Sequence, residues 1–351
     1  MASSDLDEII TGEILYQDVL LKVFPYLSTS DLLSAARVCK EWKKAVDCKT
    51  SWRGRSVHID LTRQFDDRFI FTFVQRGIEY LTLGATDSEQ LNRVRRRHRI
   101  QRIMQCFTPT LRQLKIKNMR LYDRDISAVF SDKMDCLEKL EFSHVLGDIG
   151  RNLVQVSEQC PKLQHLKTYV RIPPSLIRTL GTNMPNLKTI NVIGTSRYNN
   201  AAMEDIRTKM PDLERLTLNR SLLDDVGISQ LAMMRGLMSL KLDRCASVTA
   251  EAIKILGQAR SPIEILAVTH CRRMHSNSVL CYIGQYSLAI KKLTVYNNMS
   301  KITNAGFRGL LRAKPCLLKK LYVSNTAVDI EQAAKDLTKN APNLVFMKFY
   351  E

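Results

Sequence analysis

Leu213-Glu-Arg-Leu216-Thr-Leu218 is followed twenty-four residues on by Leu237-Met-Ser-Leu240-Lys-Leu242, and the same apolar-x-x-apolar-x-apolar figure returns through most of the chain. Working outward from this pair, further copies begin at Ile78, Leu111, Leu137, Leu163, Leu187, Ile263, Ile290, Leu318 and Leu344, making eleven. Successive starts lie 33, 26, 26, 24, 26, 24, 26, 27, 28 and 26 residues apart. The fourth place is apolar in every copy, and the sixth in all but one, where Thr168 stands. Apolar residues at alternate places read as a short strand with one face inward, and the rest of each unit leaves room for a return helix.

Asp225 to Met234 and Thr249 to Leu256 are expected to be such helices, the second with Thr249 as N-cap. Neither strand nor helix can bury its apolar side alone, so the units must stack, with strands on the concave side and helices outside. Pro109, Pro161, Pro185, Pro211 and Pro342 each stand two residues before a copy, where proline ends the return helix. The ninth place is small or polar in seven copies (Thr86, Thr195, Ser221, Cys245, Cys271, Asn298, Thr326), suited to satisfying the loop after each strand. The period is that of leucine-rich repeats, and the expected fold is an α/β solenoid: a curved leucine-rich repeat horseshoe of about eleven repeats over residues 56–351.

Composition agrees with a folded chain: 351 residues, 45% hydrophobic and 25% charged. The start, Met1 to Glu8, is acidic, and no apolar run is long enough to span a bilayer, so no membrane partner is expected and cytoplasm or nucleus is. Nine cysteines, none paired as C-x-x-C, argue for a reduced compartment. The formal charge is +18, all of it in residues 56–351, because residues 1–55 hold equal numbers of acids and bases.

Those first residues have another pattern. Leu15, Val19, Leu20, Val23, Phe24 and Leu27 recur at helical spacing, a second helix is expected near Asp31 with Ser30 as N-cap, and a third from Cys39 to Val46. Three short helices enclose little core, so they serve either as a cap on the first repeat or as a docking face. The order of residues, with Val23-Phe24, Asp31-Leu32-Leu33, Val38-Cys39-Lys40-x-Trp42 and a closing Trp52, resembles an F-box, here at residues 12–55. The repeats, with Glu158-Gln-Cys160-Pro161-Lys-Leu163, resemble those common in F-box proteins. The family pattern usually has proline after its first leucine, where this chain has Tyr16; Pro25 is expected to end or bend the first helix before Leu27.

The resemblance implies a short three-helix F-box that binds the Skp adaptor, and through it cullin and RING subunits of an SCF ubiquitin ligase, while the repeats hold a target. By resemblance, the adaptor-binding residues are Leu15, Asp18, Val19, Leu20, Val23, Phe24, Leu27, Leu32, Val38, Cys39 and Trp42. No nucleotide, hydrolase or zinc-protease signature is present, and no cofactor or metal is expected. His270-Cys271-Arg-Arg-Met-His275 has cysteine and histidine but lacks further ligands at metal spacing.

The outward strand places carry Lys115, Lys139, Lys167, Arg215, Lys241 and Lys292, with Tyr169, Tyr296 and Tyr322. They suit an acidic or phosphorylated segment of a target, Lys167, Arg215 and Lys241 foremost. The net charge alone would also suit nucleic acid, but the bases are scattered and no nucleic-acid motif accompanies them. A general interaction solenoid outside the ubiquitin system is opposed only by the F-box pattern. Between the first two copies lie six arginines in ten residues, Arg93 to Arg102. Leu91, Val94, Ile103, Met104 and Phe107 place them on the outer face of a long return helix capped by Thr86-x-x-Glu89, as solvated charge, an anionic contact or a partly unfolded nuclear-import signal.

Overall fold

A computed structural model describes residues 16–63, 67–85, 93–147, 149–168, 172–192, 198–286, 288–312, 317–324, 335–337 and 339–350. Twelve strands form one sheet in sequence order, every neighbouring pair parallel. The register keeps the fourth places in line: Leu81 beside Leu114, Leu140, Leu166, Ile190, Leu216, Leu240, Leu266, Leu293 and Leu321. All of these are buried, and they form the spine of one continuous core.

The strands used below are β1 (Ser56–Asp60), β2 (Tyr80–Gly84), β3 (Gln113–Arg120), β4 (Lys139–Leu146), β5 (His165–Thr168), β6 (Thr189–Val192), β7 (Arg215–Asn219), β8 (Ser239–Asp243), β9 (Ile265–Thr269) and β10 (Lys292–Tyr296). β11 (Lys320–Ser324) and β12 (Phe346–Tyr350) complete the sheet. β1 is a strand beyond the eleven copies. Its Val57 and Ile59 occupy the inward places, but the first place is Gly54, at φ 75°, where only glycine is unstrained. The chain must turn there out of the helical head, so the leading apolar residue is missing and the pattern is broken.

The eighth place supplies the turn after the strand. Asn118, His144, Arg220, Arg244, His270 and Asn297 all take φ between 46° and 54°, the left-handed conformation. This rotation sends the ninth side chain inward: Ser221, Cys245, Cys271 and Asn298 are buried. Asn298 shows the purpose, since its Oδ1 accepts from the Cys271 N–H at 2.9 Å and its Nδ2 donates to the Val268 carbonyl at 3.1 Å. Thr86, Thr195 and Thr326 lie outside the described residues.

The expected return helices form at Asp225–Ala232 and Glu251–Gln258. Thr249 stands two residues before the second, and its Oγ1 accepts from the Glu251 N–H at 3.2 Å. The arginine run is helical from Arg93 to Phe107. Ile100, Ile103, Met104 and Phe107 face the core, whereas Val94 is exposed and Arg96 is buried, so the arginines do not all line the outer face. The run is therefore no extended import peptide. Leu91, Thr86 and Glu89 lie outside the described residues.

The head holds more than three helices: α1 over 16–23, a 3-10 turn Phe24–Tyr26, α2 Thr29–Ala35, α3 Lys40–Asp47 and α4 Lys49–Trp52. Pro25 ends α1 as expected, because it cannot donate to the preceding turn. The N-cap of α2 is Ser28, not Ser30: its Oγ accepts from the Asp31 N–H at 3.1 Å and donates to the Asp31 carboxylate at 2.7 Å. The head is fixed on the first repeat. Trp52 is buried edge-on to Phe73 at 5.7 Å and donates from Nε1 to the Val46 carbonyl, while Arg76 lies over its ring and pairs with Asp47 at 2.7 Å. Phe73 and Arg76 belong to the segment of α5 (Asp67–Gln75) and the turn after it.

Candidate functional site

The head divides its apolar residues between two faces. Leu20, Phe24 and Leu32 are buried within the chain, with Phe24 meeting the edge of Trp42 at 5.3 Å. These three expected docking residues are therefore core, and they support a surface from behind. Trp42 is half-buried; its Nε1 donates to the Tyr16 hydroxyl, so Tyr16, in the usual place of proline, ties α1 to α3. Cys39 is the N-cap of α3, its Sγ accepting from the Trp42 N–H at 3.4 Å. Leu27 is half-buried, Asp18 is exposed, and Leu15 lies outside the described residues.

What remains outside is an apolar set: Val19 and Val23, one turn apart on α1, with Tyr26, Leu33 and Val38. Tyr26 is 90% exposed and Val38 62%, so these side chains contribute little to the chain's own core. The sequence reading did not single out Arg55. Its guanidinium donates to the carbonyls of Phe24, Pro25 and Leu27 at 2.9, 3.0 and 2.6 Å. The Phe24 carbonyl also accepts from the Leu27 N–H at 3.1 Å, and by gathering the carbonyls around this short turn Arg55 holds Tyr26 in place.

The concave face is a set of cross-strand rows. One row runs Lys115, Glu141, Lys167, Asn191, Thr217, Lys241, Ala267, Thr294, Tyr322. Glu141 pairs with Lys115 at 3.0 Å and with Lys167 at 3.1 Å. Burial pushes its carboxyl up, but the Ser143 hydroxyl and the two ammonium groups outweigh burial and hold it down to about 2. Lys115 and Lys167 share this one carboxylate and keep a single net positive charge between them.

Arg215, Lys241 and Lys292 form a different group, with no carboxylate paired to any of them among the described residues. The Lys241 ammonium is held below its usual range by desolvation first, then by the like charges of Lys292 and Arg215. Lys292 Nζ stands 5.2 Å from the centre of the Tyr322 ring, and Tyr296 meets His270 edge-on at 5.4 Å. Lys139 is exposed at the start of β4, and Tyr169 lies outside the described residues. Of the expected target-binding set, the structure brings Arg215, Lys241, Lys292, Tyr296 and Tyr322 onto one part of the face.

The His270–Cys271 constellation is part of the fold. Cys271 is buried, its thiol donates to the Leu242 and Thr269 carbonyls, and its neighbour Cys245 and burial both push its pKa up, away from thiolate. His270 Nδ1 meets Asp243 at 2.9 Å. Among the described residues no group of three or more His, Cys, Asp or Glu could hold a metal ion, and no helix is long and apolar enough to cross a membrane.

The helical head and the parallel solenoid are each similar to known proteins. Residues 17–58 match the F-box-like family model. A stretch of 44 residues is 48% identical to F-box/LRR-repeat protein 12 of Bos taurus, covering 12% of this chain and 12% of that relative. Among solved structures, the complex of Rad7 and Elc1 in yeast contains a chain that superposes with a TM-score of 0.53 at 14% identity, over 99% of this chain and 92% of that one. A Bacteroides fragilis protein reaches a TM-score of 0.42 at 16% identity over 77% of this chain and 74% of its own. The first of these supports the fold over the full length; the family match locates the F-box in the head.

Proposed function

We propose that this chain is the substrate-recognition subunit of an SCF-type ubiquitin ligase. The F-box-like head takes a Skp-type adaptor, and through it cullin and RING subunits, while the solenoid holds a target protein whose ubiquitination leads to proteasomal degradation. The observation that carries this reading is the exposed apolar set Val19, Val23, Tyr26, Leu33 and Val38, displayed by the segment that matches the F-box-like family. Such a patch on a folded head calls for a partner to cover it. The chain's contribution is positioning, a rise in the effective concentration of target lysines near a loaded conjugating enzyme, with no covalent step of its own. Cytoplasm and nucleus are the proposed compartments, checked by imaging a fluorescent fusion.

Affinity purification with mass spectrometry tests the adaptor reading. Val19→Asp with Val23→Asp alters exposed residues, so the head stays folded while adaptor and cullin are lost and target is retained. Normal cullin recovery by that variant would sink the proposal. Deleting residues 1–55 is a poorer probe, because it removes Trp52 from Phe73 and bares the first repeat.

A further inference from the structure

Arginines gather a second time on the rim where strands turn into return helices. There the end of β3 at Arg120, the end of β4 at Leu146 and Gly147, the start of α6 (Arg93–Phe107) and α7 (Asp123–Val129) enclose a cleft of about 900 Å³. Its lining includes Arg93, Arg97, Arg120 and Arg124, none of which is paired with a carboxylate among the described residues. The two lining acids are engaged elsewhere. Asp123 accepts from Asn152 Nδ2 at 2.9 Å, and Asp125 accepts from Arg96 at 2.5 Å and from the Tyr122 N–H at 3.0 Å.

The cleft has a built floor. Arg96 is 2% exposed, and its Nε has no hydrogen-bond partner, although the same side chain reaches Asp125. A buried N–H without an acceptor is costly, so a site that leaves one calls for an acceptor from outside. Arg93 and Arg96 stand 4.2 and 5.3 Å from the centre of the Tyr122 ring, which fixes their planes. Gly147 lets β4 close the far side: a Cβ there would lie 2.1 Å from the Leu121 carbonyl oxygen.

From these residues we infer that the cleft binds a phosphate-bearing ligand. Four unneutralised guanidiniums from three elements around one space suit an anion of more than a single charge, and the guanidinium fork matches phosphate oxygens in pairs. A solvated basic helix face would leave the arginines splayed into water and no buried donor beneath them. This site is separate from the adaptor surface and from the Arg215, Lys241 and Lys292 group, so it stands or falls apart from the ligase reading.

Calorimetric titration of the intact chain with inorganic tripolyphosphate tests it. Binding is expected, weakened at least about tenfold by Arg120→Ser with Arg124→Ser, both exposed, as loss of charge-assisted pairs requires. Arg272→Ser with Arg273→Ser, exposed after β9, is expected to leave binding unchanged. No binding by the unaltered chain, or equal loss in both double variants, overturns the proposal. Adaptor recovery stays normal in either variant, which separates this result from a failure of the F-box. Displacement of bound tripolyphosphate by a phosphoserine peptide, and not by its serine counterpart, assigns the phosphate to a protein segment; retention against both peptides assigns a free polyanion.

Discussion

In the first repeats several buried or strand-borne charges are paired inside the chain, Arg76 with Asp47, Arg96 with Asp125 and Glu141 with both Lys115 and Lys167, while among the described residues Arg93, Arg97, Arg120 and Arg124 around the cleft are not. From β7 to β10 the corresponding faces hold Arg215, Lys241 and Lys292 within reach of one another's fields, and the inner column beneath them is neutral, built of Ser221, Cys245, Cys271 and Asn298. One repeat pattern accommodates both, because the fourth and sixth places alone fill the core. The outward places are free to carry the Lys115–Glu141–Lys167 cluster at one point of the face and Arg215, Lys241 and Lys292 at another.

The greatest break in this contrast comes from Arg96→Ala. It leaves Asp125 buried without its partner, and the expected loss of stability in urea unfolding is about 3–5 kcal/mol; a loss below roughly 1 kcal/mol would show that the pair is replaceable by water. Asn298→Ala attacks the neutral column. It orphans the Cys271 N–H and the Val268 carbonyl, for an expected cost of roughly 1–3 kcal/mol that is insensitive to salt. A strong salt dependence of that loss would erase the distinction between the two regions.

Acid sharpens it further. The Glu141 carboxyl, held at about 2 against an ordinary 4.5, stabilises the folded chain fully above pH 4.5, and this contribution is lost as the pH falls through its folded value. Unfolding free energies of the unaltered chain and of Glu141→Gln are expected to differ by on the order of 1–2 kcal/mol near neutrality, after screening by solvent. The two should converge between pH 4.5 and about 2. A gap that widens on acidification contradicts the assignment. The smallest effect is at the eighth place: Arg220→Gly relieves left-handed strain and leaves stability equal or raised by up to about 1 kcal/mol, whereas Arg220→Val lowers it, as thermal midpoints would report.

The solenoid was readable because its signal repeats; a single misplaced residue cannot hide eleven copies. β1 escaped since Gly54 replaces the leading apolar residue, although Val57 and Ile59 retain the alternation. In the head, helical spacing identified the apolar residues but not their direction. Val19 and Val23 are each one residue from Leu20 and Phe24, and only packing against α2 and α3 decides which pair turns inward. Ser28 could have been preferred to Ser30 as N-cap, because Ser28-x-x-Asp31 is the reciprocal capping pattern. Arg96 lay beyond sequence reading in a different way. An arginine among five others reads as solvated, and its partner Asp125 is one repeat further on, visible only when the repeats are stacked. The same stacking discloses that Lys115 and Lys167 share the carboxylate of Glu141.

Because all twelve strands are parallel and in register, and the helical head is fixed on the first of them through Trp52, the sheet behaves as a ruler with a defined zero. Each strand advances about 4.8 Å, so Lys241 on β8 stands roughly 34 Å along the arc from β1, while the arginine cleft beside β3 and β4 stands about 10–15 Å from it. Inserting or removing one repeat between these marks would move everything beyond it by a single graduation and leave the nearer mark where it was.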